Sequence, residues 1–162
     1  MQDIGENPGT SAAWRVLGAR AGLLVVAFDL LKGAVPYLLA EALRLPGAWL
    51  VLPSLAPVVG HNWPLGRPRR GGHGLAAGGG VLFSAGWPVM VYGALVGAVP
   101  AVLWFRRRWG VALAAVGAPL GVALMVWAGY PADAIAVVVA VLVVLAARLL
   151  LDRRATDGPQ PN

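Results

Sequence analysis

LAAGGGVLFSAGWPVMVYGALVGAVPAVLWF, residues 75–105, runs for 31 positions without a charged side chain. Uncharged apolar runs of about 18 residues or more read as membrane spans. A single crossing takes about 20 residues, so this run is too long for one ordinary span. Gly86-Trp87-Pro88 stands near its middle, and glycine with proline interrupts a helix. The run therefore reads as two short helices, about 75–85 and 88–105. The first is shorter than a full crossing and is expected to begin in a protein-lined interior.

Similar runs lie on both sides, at about 21–43, 111–128 and 135–151. A shorter apolar run leads from the Leu45-Pro46-Gly47 turn to about Gly60. The chain is 59% hydrophobic and 12% charged, where soluble domains carry roughly a quarter charged residues. A core of this size cannot hide so much apolar surface, so lipid must cover it. The expected fold class is an all-α membrane protein, a polytopic bundle of about six transmembrane helices with short loops. Residues 1–162 then form a single membrane domain. Within it, 1–20 is a cytoplasmic loop, 21–151 a helix bundle with a cytoplasmic glycine-rich loop at 61–74, and 152–162 a polar tail.

The charges follow that division. With six crossings, Arg15, Arg20, Arg67, Arg69, Arg70, Arg106, Arg107, Arg108, Arg153 and Arg154 fall on one side, and Arg44 alone on the other. The positive-inside rule makes the rich side cytoplasmic. Reading 75–105 as one span would scatter the clusters over both faces. The net charge of +6 sits in short loops beside apolar runs, where it orients the chain and meets anionic lipid. Nucleic acid is therefore not an expected partner. The chain has no cysteine and two histidines, so neither a disulfide framework nor a metal site is expected. No signal peptide is read, because the first apolar run has no cleavage site behind it. The chain opens inside a polar Gly/Pro loop, which suggests a further segment upstream.

Gly74/Gly78, Gly93/Gly97 and Gly117/Gly121 are each four apart, a spacing that lets membrane helices approach closely. Residues 72–77 resemble a dinucleotide fingerprint, but no strand precedes them and no βαβ unit follows. There is no Walker A motif.

Three features exceed what a packed bundle needs. One is the loop Asn7-Pro8-Gly9-Thr10-Ser11 with Arg15 beyond it. Another is Asp29 with Lys32, three apart on one helix face inside an apolar run. Ionisable groups there mark either a site or a structural ion pair between helices. The last is Gly60-His61-Asn62-Trp63-Pro64 leading to Gly71-Gly72-His73-Gly74. A glycine-rich loop opening a helix offers free N–H groups and the positive dipole end, which suits phosphate; the alternative is an ordinary tight loop. These residues suit the holding of anionic phosphate, and no His-plus-carboxylate acyltransferase box is present.

These motifs resemble those of the bacterial acyl-phosphate-dependent glycerol-3-phosphate acyltransferases. The matching residues are Asn7-Pro8-Gly9-Thr10-Ser11, Arg15-Val16-Leu17-Gly18, Gly22-Leu23 and Asp29-Leu30-Leu31-Lys32-Gly33. Gly60-His61-Asn62-Trp63-Pro64 with Gly71-Gly72-His73-Gly74 is similar to the family's second motif. The likeness covers about residues 3–88 in detail. It implies a seven-helix plasma-membrane enzyme with a cytoplasmic active site. Such an enzyme moves an acyl chain from acyl phosphate to the 1-hydroxyl of glycerol 3-phosphate, making lysophosphatidate, with membrane lipid around it and no cofactor. The resemblance implies catalytic roles for Ser11, His61 and His73. It implies substrate and phosphate binding by Asn7, Gly9, Thr10, Arg15, Asn62, Gly71, Gly72 and Gly74.

Several positions depart from the family pattern. Its first helix with Ser-x-Pro is not found ahead of Met1, and its Gly-Ser-Gly-Asn is Gly5-Glu6-Asn7. An expected Asn is Ala12, and the lysine of the glycine loop is His73. The C-terminal His-Arg-x-Asn is replaced by Arg148-Leu149-Leu150-Leu151. A second reading from another class is a non-catalytic paralogue that binds phospholipid or supports another membrane protein. A small transporter built on Asp29 and Lys32 is a third, though no broken helices repeat at matching positions.

Overall fold

The computed structural model describes residues 16–65, 71–104 and 107–156. These form five helices: α1 (Ala19–Ala42), α2 (Ala48–Asn62), α3 (Leu75–Trp104), α4 (Arg107–Trp127) and α5 (Ala132–Thr156). The fold is all-α, but the expected six transmembrane helices are not there. Two stretches among the described residues are long and apolar enough to cross a membrane, Ala19–Ala42 and Ala132–Leu151. The described residues do not reach the seven helices implied by the resemblance either.

Two local causes account for the difference. Gly86 leaves helical geometry (φ −158°, ψ 66°), so Leu75–Trp104 is two helical segments joined at a kink where the sequence placed the break, and the first, Leu75–Trp87, is too short for a full crossing. α2 is only 15 residues long and carries Pro53 and Pro57 inside it, which at 1.5 Å per residue spans about 22 Å, short of the ~30 Å hydrocarbon core.

α3 is the central element and packs against α1, α4 and α5, while α2 lies against α1 and α5. The core gathers Val58, Val81, Val137, Val138, Val141 and Met125, all fully buried. Large apolar side chains such as Leu23, Leu24, Phe28, Val143 and Leu150 face outward instead. A contiguous apolar exterior of this kind fits lipid rather than water.

Glycine sets the tightest approach. A Cβ on Gly33 of α1 would strike the Ala77 carbonyl of α3, and a Cβ on Gly80 of α3 would strike the Leu30 carbonyl of α1. The two backbones therefore touch reciprocally, as small residues allow in membranes. Of the glycines singled out by spacing, a Cβ on Gly78 would come within 2.9 Å of Leu145 and one on Gly121 within 2.9 Å of Val89. This contact sets α1, with Asp29 and Lys32, beside the start of α3.

The helix hairpins close with matching caps. At the end of α1, Leu45 N–H bonds Ala40 C=O (3.0 Å) and Arg44 N–H bonds Glu41 C=O (2.8 Å). At the end of α4, Tyr130 N–H bonds Met125 C=O (3.0 Å) and Gly129 N–H bonds Val126 C=O (3.1 Å). Both are Schellman motifs, which need a left-handed residue at the turn. Gly129 supplies it at φ 73°, and at the other hairpin Arg44 takes it at φ 53°.

Candidate functional site

α1 contributes Asp29 and Lys32. One helical turn brings them together, with Lys32 Nζ 2.6 Å from Asp29 Oδ1. The ammonium also reaches across to α2, where it lies 2.6 Å from His61 Nδ1. An ammonium has protons to give and no lone pair. Nδ1 therefore accepts, and the neutral imidazole carries its proton on Nε2. Burial first, and then the Lys32 charge, hold His61 below the usual imidazole range, against an opposing pull from Asp29. Lys32 is the chain's only lysine, and it is spent on neither partner alone. It bridges a carboxylate and an imidazole and keeps a third N–H.

The glycine loop is built onto the end of α2. Gly72 N–H donates to the His61 carbonyl at 3.1 Å. A Cβ on Gly72 would strike His61 Nε2, one on Gly71 the Asn62 carbonyl, and one on Gly74 the Asn62 side-chain oxygen. Gly74 also sits at φ 66°, where a side chain is strained. The three glycines are thus required by contact with His61 and Asn62. Gly72 N–H is already committed, so it cannot belong to an open phosphate cradle.

Asn62 is fully buried. Neither Oδ1 nor Nδ2 finds a hydrogen-bond partner among the described residues. A buried amide left so costs about 1–3 kcal/mol, which a bound polar group would offset. Beside it, a cleft of about 420 Å³ is lined by Lys32, Pro57, Gly60, His61, Pro64, Gly71 and Gly72. His73 is not in that lining, and it is exposed on the loop.

The structure brings Asp29, Lys32, His61, Asn62, Gly71, Gly72 and Gly74 to one place. Asn7, Gly9, Thr10, Ser11 and Arg15 lie outside the described residues. Sequence reasoning missed Arg148 of α5, which is 5% exposed and donates from Nη2 to the Gly71 carbonyl at 2.9 Å. Its guanidinium carbon stands 5.8 Å from the Trp63 ring centroid. The signal was available: an arginine inside an apolar run is costly and marks a function.

Comparison with known proteins gives a consistent result. Residues 2–155 match the family described as Glycerol-3-phosphate acyltransferase. Glycerol-3-phosphate acyltransferase 4 of Dehalococcoides mccartyi is 43% identical over 90 residues, 55% of this chain and 49% of that protein. The chain thus spans about half the length of that relative. The Aquifex aeolicus glycerol-3-phosphate acyltransferase is 32% identical over 161 residues, 96% of this chain and 82% of that one. The fold is similar to a crystal structure of PlsY (YgiH), described as an integral membrane glycerol 3-phosphate acyltransferase in its lysophosphatidic acid form. The TM-score is 0.71 at 26% identity, over 93% of this chain and 76% of that one. The glycerol 3-phosphate form of PlsY gives 0.69 at 25% identity, over 96% and 78%.

Proposed function

The chain belongs to the glycerol-3-phosphate acyltransferase family, and we propose that it transfers a fatty acyl chain from acyl phosphate to glycerol 3-phosphate, giving lysophosphatidate. It is a multi-pass protein of the bacterial plasma membrane, and the proposal places its reacting face toward the cytoplasm. The observation that carries the reading is the Lys32 ammonium, bridging Asp29 and His61 at the edge of a cleft walled by the glycine loop. Both substrates are phosphate monoanions or dianions, and that cleft offers a fixed cation, an imidazole N–H and backbone.

The chemistry asks little of a strong base. The glycerol 1-hydroxyl oxygen attacks the acyl carbonyl and forms the ester C–O bond. The bond from carbonyl carbon to phosphate oxygen breaks, phosphate leaves with the electron pair, and the hydroxyl proton passes to the leaving phosphate. Acyl phosphate is already activated, so positioning and charge neutralisation can supply most of the rate. In this reading Lys32 neutralises phosphoryl charge and His61 donates from Nε2, while Asn62, buried behind the cleft, backs Gly71 and Gly74. Gly71, Gly72 and Gly74 shape the wall. His73 stands where the family has lysine and acts as a cation only when protonated. Asn7, Gly9, Thr10, Ser11 and Arg15 position the acceptor.

The test is acyl transfer in membranes carrying the protein, with palmitoyl phosphate and labelled glycerol 3-phosphate. Labelled lysophosphatidate above the level of vector membranes is the expected result. No product from folded protein would move the function to the non-catalytic reading.

A further inference from the structure

Arg148 lies inside the apolar stretch Ala132–Leu151, almost wholly buried. A guanidinium stays charged there, so its retention needs a cause beyond packing. Its Nη2 bonds the Gly71 carbonyl at 2.9 Å. The N–H of the same peptide unit, that of Gly72, bonds the His61 carbonyl at 3.1 Å. In a trans peptide C=O and N–H point in opposite directions, and none of the described bonds is cis. One peptide plane is therefore held from both sides, by α5 on its oxygen and by α2 on its nitrogen. Gly71 and Gly72 flank that plane, and glycine has the widest backbone freedom of any residue. Trp63, the residue after α2, lies under the guanidinium and limits where the fork can point.

We propose that Arg148 is a positioning residue of the acyl-transfer site: it locks the Gly71–Gly72 peptide and so holds the glycine loop against His61 in the shape that receives the acyl phosphate. The inference rests on the proposed acyl transfer for its kinetic consequence, but not for its conformational one. Arg148 reaches no substrate; it acts through the loop. A residue that merely pinned α5 to the bundle would change the amount of folded protein and leave the loop's own behaviour alone.

The experiment compares the parent with Arg148→Lys and Arg148→Met, purified in detergent, by two readouts. Hydrogen exchange over a peptide spanning residues 71–74 reports the clamp. Steady-state transfer from palmitoyl phosphate to glycerol 3-phosphate reports its use. In Arg148→Met, exchange at the Gly72 amide is expected to speed about tenfold or more, as local opening becomes easier. KM for palmitoyl phosphate should rise about tenfold and by more than KM for glycerol 3-phosphate, because the proposal gives the acyl phosphate to the part of the cleft that the loop walls. Arg148→Lys, which keeps the charge and one donor, should recover part of both effects. Unchanged exchange in the Met variant overturns the proposal. So does faster exchange with both KM values unaltered, or an equal rise in both. Should the Met variant not fold, the Lys variant decides: exchange and KM identical to the parent's would overturn the clamp. Should the parent itself make no lysophosphatidate, the acyl-transfer reading fails and the exchange readout alone decides the positioning role.

Discussion

His61 is asked to be neutral: its Nδ1 accepts from Lys32, and burial lowers its pKa from the ordinary 6.5. A folded-state pKa below the unfolded one means that the unfolded chain binds the proton more readily. The stabilisation is then fully present above about pH 6.5 and is lost as pH falls below it toward the lowered value. The thermal midpoint of the parent should drop between pH 7 and pH 5, and His61→Gln should flatten that slope. An equally steep slope in the variant would remove His61 from the account. Much of this neighbourhood was legible in the sequence. Asp29 and Lys32 stood out because two ionisable residues three apart in an apolar run have few other reasons to be there. His61's tautomer was not legible, because it follows from an ammonium 29 positions away. The glycines were legible as indispensable, but for a different reason. Spacing suggests an open cradle, whereas Gly71, Gly72 and Gly74 are filled from behind by Asn62 and His61.

Among the elements, the α1–α2 turn holds Arg44 in the left-handed region at φ 53°, a conformation unfavourable for residues bearing a Cβ by about 1 kcal/mol. The corresponding position after α4 is Gly129. Arg44→Gly should therefore raise the thermal midpoint in detergent by about 2–4 °C, since both cap hydrogen bonds are backbone and survive. A fall would show that the arginine side chain contributes more than its backbone costs. The sequence located the turn through Leu45-Pro46-Gly47 but not the strained residue within it. It also located the break in α3 at Gly86, which divides Leu75–Trp104 into two helical segments. What periodicity and punctuation overstated was the number of full crossings, because Leu75–Trp87 and the 15-residue α2 are apolar but too short to span. The reciprocal Gly33–Ala77 and Gly80–Leu30 approaches carried no local signal, because their partners lie on different helices.

For the molecule as a whole, charge asymmetry is the guide to orientation, and the cytoplasmic placement of the site is part of the proposal. Arg148 of α5 bonds the glycine loop, so the C-terminal end of α5 and the loop share one face. The Leu45-Pro46-Gly47 turn lies at the other end of α2. Cysteines at Arg69 and Ala155 should therefore be shielded from an impermeant thiol reagent in intact cells, while one at Pro46 should label. Labelling at Arg69 or Ala155 would reverse the orientation and remove the cytoplasmic substrate from reach. The central claim is that phosphoryl recognition depends on Lys32, and its most direct test is a comparison of kcat/KM for acyl transfer between the parent and Lys32→Gln. Loss of the half-exposed cation proposed to meet phosphate should lower kcat/KM about a hundredfold or more, with folding retained by elution profile and thermal midpoint. An unchanged kcat/KM in the folded variant would contradict the account.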